Sequence, residues 1–171
     1  MMQVSSEGLD ILKNREKLRL TAYRDQGGVW TIGYGATTYE SGSRVKEGDK
    51  ITETRAMQLL AYHVGVAASA VNSMVKVSLT NGQFDALTSF VYNTGSGAFA
   101  KSTLRTLVNT NPNDFDRIAE AFRAWKYVTV NGVKVVSNGL IARREEEIEM
   151  YTSGESKKKV VPSGSQLQSA S

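Results

Sequence analysis

AYRDQGGVWTIGYG, residues 22–35, is the stretch on which the fold turns. Aromatic and β-branched residues stand on both sides of Gly27-Gly28, so it reads as a β-hairpin whose turn needs glycine. The segment before it has a different period. Leu9 and Leu12, with Ile11 beside them, form an apolar stripe after Ser5 and Ser6, either of which suits a helix N-cap. This predicts a helix over residues 7–18 with Glu16 in its last turn. TTYESGSRV, residues 37–45, reads as a second small hairpin with its turn at Ser41-Gly42. A small β lobe over residues 20–46 follows.

Beyond it the pattern is mainly helical. Thr52 caps a helix expected over residues 53–75. Thr80-Asn81-Gly82-Gln83 has the form of a capping box, and Phe84, Leu87, Thr88 and Val91 follow at helical spacing. Ser102 opens a short helix through Leu104 and Leu107. Asn111-Pro112-Asn113 breaks the chain before a helix over 115–125. VTVNGVKVV, residues 128–136, is a hairpin with Asn131-Gly132 as a type I′ turn. GLIARREEEIEMY, residues 139–151, closes the domain as a helix with Leu140, Arg144, Ile148 and Tyr151 on one side. From Ser153 to Ser171 the composition turns to Ser, Gly, Lys, Gln and Pro, which reads as a flexible tail. The expected organisation is one domain over 1–152 and a tail over 153–171.

Composition excludes several chemistries. The chain has 171 residues, 40% of them hydrophobic, which suits one domain with a sizeable core. It has no cysteine, so disulfides, zinc-thiolate sites and cysteine nucleophiles are ruled out. Its single histidine, His63, rules out a multi-histidine metal site and reads as an ordinary helical histidine. The Gly33, Gly35, Gly95 and Gly97 positions lack the GxxxxGK[ST] order of a phosphate loop. The EEE run at 145–147 reads as a solvated helix face. Trp30 and Trp125 read as core rather than sugar platforms. No run reaches the roughly 18 apolar residues a membrane span needs, and MMQVSSEGLDILKNRE lacks the apolar centre of a secretory signal. The net charge of +4 favours an anionic partner; nucleic acid, phospholipid and bacterial wall all qualify. Lys157, Lys158 and Lys159 contribute to that charge from the tail.

The candidate residues for chemistry are Glu16, Asp25 and Thr31. A carboxyl at a helix end, another at a hairpin turn and a hydroxyl on the returning strand can line one wall of a cleft. Two carboxyls in such different surroundings can divide the roles of proton donor and ionised partner. Glu16 lies on an apolar helix, which suits an acid that keeps its proton. Asp25 lies in a polar glycine-rich turn, which suits one that stays ionised. Thr31 can hold a water.

KLRLTAYRDQGGVWTIGYG, residues 17–35, resembles the catalytic segment of the phage-type lysozymes, or endolysins. LTNGQFDALTSFVYNTGSGAFAKSTL resembles the central helix of that family and the turn after it, and NGLIARREEEIEMY resembles its closing helix. The likeness covers roughly residues 5–152 in order. It implies an α+β lysozyme-like fold, mainly helical with a small β-hairpin lobe and an interlobe substrate cleft. It also implies the catalytic triad Glu16, Asp25 and Thr31, an inverting muramidase reaction on peptidoglycan, and no metal or organic cofactor. By position it implies sugar contacts from Gly35, Thr37, Tyr92 and Ser102 or Thr103, and an arginine, Arg143 or Arg144, that approaches Glu16.

Two residues depart from the family pattern. Ala36 stands where a histidine is common, which removes a local hydrogen bond or salt bridge. Lys17 stands where a glycine is common and adds charge beside the acid, so weaker activity or a lower pH optimum is expected. The expected biology is a monomer that accumulates in the host cytoplasm and reaches the wall with a holin-like partner, with no stable membrane insertion and no nucleic acid. Three rivals remain open at this point. They are a virion-bound lysozyme for entry, a lytic transglycosylase, and a non-catalytic peptidoglycan-binding or protein-interaction module of the same fold.

Overall fold

A computed structural model of the chain describes residues 1–160, with side chains to Ser153. It divides into two compact units, Ser5–Val66 and a second made of Met1–Val4 with Ala67 onward, so the division falls inside one long helix.

The first unit starts with α1 (Ser6–Arg15), capped by Ser5, whose side chain accepts the Gly8 N–H at 3.0 Å. The helix ends earlier than its apolar stripe suggests. Glu16 is the C-cap, with extended φ −93° and ψ 139°, so it stands just outside the helix and not in its last turn. The cause is the next element: β1 (Arg19–Arg24) begins three residues on and requires extended backbone. β1 pairs antiparallel with β2 (Trp30–Gly33), with Tyr23 opposite Thr31 and Arg24 opposite Trp30. The turn is tightened by the Gly28 N–H donating to Asp25 O at 2.9 Å, and Gly28 has φ +81°. The expected second hairpin is reduced to one bridge between Thr38 and Arg44, with Tyr39 N–H donating to Ser43 O. α2 (Glu53–Met74) follows. Ile32, Ala36, Val45 and Leu59 form the core here, with Trp30 partly buried against it.

Two side chains of this unit tie its loop down. His63, on α2, hydrogen-bonds the Thr38 carbonyl at 2.9 Å. A carbonyl only accepts, so the ring Nε2 carries the proton. Tyr39 donates to Asp49 Oδ2 at 2.7 Å; burial first, then the Asp49 carboxylate, pushes its phenol up to about 12. Ala36 is 6% exposed and exchanges backbone hydrogen bonds with Ile32. A small apolar residue suits that buried place.

The second unit is built around α3 (Asn81–Thr94), in which every residue from Gln83 to Val91 is buried. A helix covered on all sides carries few charges. Its start is the expected capping box: Thr80 Oγ1 accepts the Gln83 N–H, and Gln83 Oε1 accepts the Thr80 N–H at 2.8 Å. α4 (Ser96–Ala100), α5 (Thr103–Thr110), α6 (Phe115–Arg123) and α7 (Asn138–Val160) each add buried residues to its core. Phe90 is the hub. The Phe99, Phe122 and Trp125 rings meet it edge-on at 6.1, 5.8 and 5.4 Å. Burial of such a ring contributes about 1.5–3 kcal/mol. β3 (Tyr127–Val130) and β4 (Val133–Val136) form the expected hairpin, with Asn131 at φ 51° and Gly132 at φ 79°.

The solvated reading of the 145–147 run fails for Glu147. Glu145 is exposed and pairs with Arg123 at 2.7 Å, but Glu147 is 0% exposed beside Arg144 at 1%. Its partner Arg144 lies three positions back on the inward face, and a buried carboxylate needs such a cation. α7 runs past position 153, where composition starts the tail; residues 161–171 lie outside the described residues.

Candidate functional site

The first unit holds Glu16, Asp25, Thr31, Gly35 and Thr37, the second Tyr92, Ser102, Thr103, Arg143 and Arg144. Asp25 is exposed at the hairpin turn. Its Oδ1 accepts two backbone donors, Gly27 N–H at 2.8 Å and Val29 N–H at 2.9 Å. This is an Asx-type turn: the side chain stands in for the backbone and is itself fixed. Thr31 is 4% exposed and its hydroxyl donates to Val29 O at 2.9 Å. One residue, Val29, therefore holds both side chains, Asp25 through its N–H and Thr31 through its C=O. Val29 has no chemical side chain, and nothing in the sequence marks it.

With its proton spent on a carbonyl, Thr31 Oγ1 offers lone pairs to whatever approaches it. A water there must donate to it. Asp25 is likewise an acceptor when ionised. The pair thus suits a group that gives up protons, which is what an attacking water does.

Glu16 is half-buried and meets Gly35. A β-carbon built on Gly35 would come within 3.0 Å of Glu16 Oε1. Gly35 also has φ +98°, a region that side chains avoid. The glycine of the GYG sequence therefore makes room for the acid on two counts. Thr37 is half-buried in the following loop, and its carbonyl accepts the Val45 N–H at 3.0 Å.

In the second unit, Tyr92 is half-buried against the helical core. Ser102 is 6% exposed, and its hydroxyl is used at both ends. It accepts the Arg105 N–H at 3.0 Å as N-cap of α5 and donates to Phe99 O at 2.8 Å. Thr103, the next residue, is exposed. Both line a groove of about 910 Å³ with Lys101, Trp125, Tyr127 and Lys134. Arg143 is half-buried. Arg144 is held inside by Glu147, with Nε 2.8 Å from Oε1, and by Asn93, whose Oδ1 accepts from Nη2 at 2.8 Å. Among the described residues no set of three potential metal ligands clusters.

Comparison with known proteins gives the family. The phage lysozyme family model matches residues 13–147. An endolysin of Acyrthosiphon pisum secondary endosymbiont phage 1 is 37% identical over 152 residues, covering 89% of this chain and 99% of that protein. The solved endolysin from Escherichia coli O157:H7 phage FAHEc1 is 42% identical with a TM-score of 0.82, over 95% of this chain and 98% of that one. The muramidase domain of SpmX from Asticaccaulis excentricus is 34% identical with a TM-score of 0.77, over 88% and 98%. Helices around α3, a short hairpin bearing Asp25 and Thr31, and a match through both units lead to one assignment: the chain belongs to the phage lysozyme family, with its α+β lysozyme fold.

Proposed function

We propose that the protein is an endolysin, a muramidase that hydrolyses the β-1,4 bond between N-acetylmuramic acid and N-acetylglucosamine in bacterial peptidoglycan. The family assignment and the endolysin relatives support the activity. The observation that carries the mechanism is the Val29 clamp on Asp25 and Thr31.

In the proposed reaction Glu16 is the general acid. Its proton goes to the glycosidic oxygen as the bond from that oxygen to the anomeric carbon breaks. A water hydrogen-bonded to Thr31 Oγ1 attacks the same carbon from the opposite face, and its proton goes to Asp25. The product is a reducing sugar of inverted configuration. Gly35 keeps the Glu16 carboxyl unobstructed. Arg143 or Arg144 is the candidate cation for the acid. Gly35, Thr37, Tyr92, Ser102 and Thr103 are candidate sugar contacts, with Ser102 the weakest because its hydroxyl already serves a helix cap. Chemistry of this kind runs on the chain's own carboxyls, with no cofactor. Action on the wall follows from the activity. A monomer held in the host cytoplasm until a holin-like partner opens the membrane is the matching biology. No helix among the described residues is long and apolar enough to cross a membrane.

Mass spectrometry of muropeptides from digested walls tests this. A reducing N-acetylmuramic end is expected, and an anhydro-muramic end would instead establish a transglycosylase. Glu16→Gln should clear no walls; clearing equal to wild type would remove Glu16 as the acid.

A further inference from the structure

The buried charges of the second unit converge on one exposed side chain. Arg144 Nε lies 2.8 Å from Glu147 Oε1, and its Nη2 donates to Oε2 at 3.0 Å. Ser89 donates to the same Oε2 at 2.6 Å. The guanidinium also lies over the Phe90 ring, 5.0 Å from its centroid, and Nη1 reaches the Trp125 carbonyl at 3.5 Å. Held on so many sides, the group has one position. From it, Nη2 reaches outward to Asn93 Oδ1 at 2.8 Å.

A guanidinium only donates, so the Asn93 oxygen must be the atom that faces it. The amide's two N–H donors are thereby turned the other way. Asn93 is exposed, and among the described residues no protein acceptor meets its Nδ2. It sits in the last turn of α3, directly after Tyr92 and two residues before the break at Gly95, where φ is +96°. A buried ion pair is a poor source of stability, since desolvation offsets its attraction and apolar replacements often do as well. Geometry imposed on a neighbour is a better account of it.

We infer that Asn93 is a substrate-binding residue whose Nδ2 donates to the acetamido carbonyl of a wall amino sugar, and that Arg144 and Glu147 are positioning residues that hold it in that orientation. The ligand class follows from the donors: two neutral N–H groups match a neutral carbonyl acceptor. Fixing the side chain in advance lowers the entropy lost on binding. The inference rests on the muramidase reading.

The test combines kinetics with NMR. Asn93→Asp keeps an oxygen for Arg144 and removes both donors, and Asn93→Ala removes everything beyond the β-carbon. Both should raise the apparent KM for walls by up to about tenfold, the scale of one hydrogen bond, with kcat and melting temperature little changed. In wild type, triacetylchitotriose should shift the Asn93 side-chain amide resonances. Arg144→Lys, if its melting curve shows a folded protein, should leave those resonances averaged and unresponsive. Two results would overturn the inference: both Asn93 variants keeping wild-type KM, or the amide staying still while resonances near Asp25 move with the saccharide. Wild type that neither clears walls nor responds to the saccharide would sink the muramidase reading itself, and this inference with it.

Discussion

Gly35 lies against Glu16 so closely that its missing β-carbon would sit 3.0 Å from the Glu16 Oε1 atom. That spacing is tighter than side chains ordinarily keep, and the φ of +98° adds strain for any other residue. Gly35→Ala should therefore displace the Glu16 carboxyl. We expect kcat/KM to fall on the order of 100-fold, the effect of a small misplacement at a reacting group. Stability should fall by about 1 kcal/mol or more from the backbone strain. Wall-clearing rates and thermal melts read the two effects separately. Activity equal to wild type would mean that Glu16 need not hold this position.

The Val29 clamp distinguishes substitutions at Asp25 and Thr31. Asp25→Asn keeps an oxygen for the Gly27 and Val29 N–H groups, so the turn should survive with an unchanged melting temperature. Loss of the proposed base should still lower kcat by about 100-fold or more. Thr31→Ser keeps Oγ1 and its donation to Val29 and should retain most activity. Thr31→Val, of similar size without the oxygen, should lose as much as Asp25→Asn. Equal rates for the serine and valine variants would show that Thr31 only fills space.

Gly82 gives a stability prediction of unusual sign. Alanine in place of a helical glycine normally stabilises by about 1 kcal/mol. A β-carbon here would collide with the Met150 carbonyl oxygen and lie 2.9 Å from Ser153 Oγ. The first is backbone and cannot swing aside. Gly82→Ala should instead destabilise by about 1–3 kcal/mol, the cost of overpacking, seen as a lower melting temperature.

The acid side of the pH profile carries a signature from Glu40. Both its oxygens accept from Arg55, at 2.7 and 2.6 Å, and this hydrogen bonding holds its carboxyl down at about 2. A carboxyl depressed on folding stabilises above its ordinary titration range, and that contribution is lost as pH falls toward its folded value. An NMR titration should find Glu40 still ionised where other glutamates have protonated. Arg55→Gln should return it to the ordinary range. Any gap in melting temperature between wild type and this variant should close by about pH 2. The pair is exposed, so the gap at neutral pH should be small.

Much of this was legible in the residues because the bonds involved are local. The Thr80–Gln83 capping box, the Asn131-Gly132 turn and the Asp25–Gly28 turn each join atoms within a few positions, so a short pattern specifies them. The same holds for Asp25 and Thr31, which a single intervening residue links. Glu16 was legible as a candidate acid at a helix end, but its extended backbone was not, because that depends on where β1 begins.

What only the tertiary structure decided involves partners far apart in sequence. The EEE run looks alike at all three positions, yet Glu147 is buried because Ser89, 58 residues away, and Arg144 receive it. His63 closes on the Thr38 carbonyl from 25 residues downstream. Ser102 has the chemistry of a ligand contact, but helix α5 consumes its hydroxyl. Periodicity tells which side of an element faces inward. It does not say which polar atom waits there, and for a buried charge that atom determines whether the residue can be present at all.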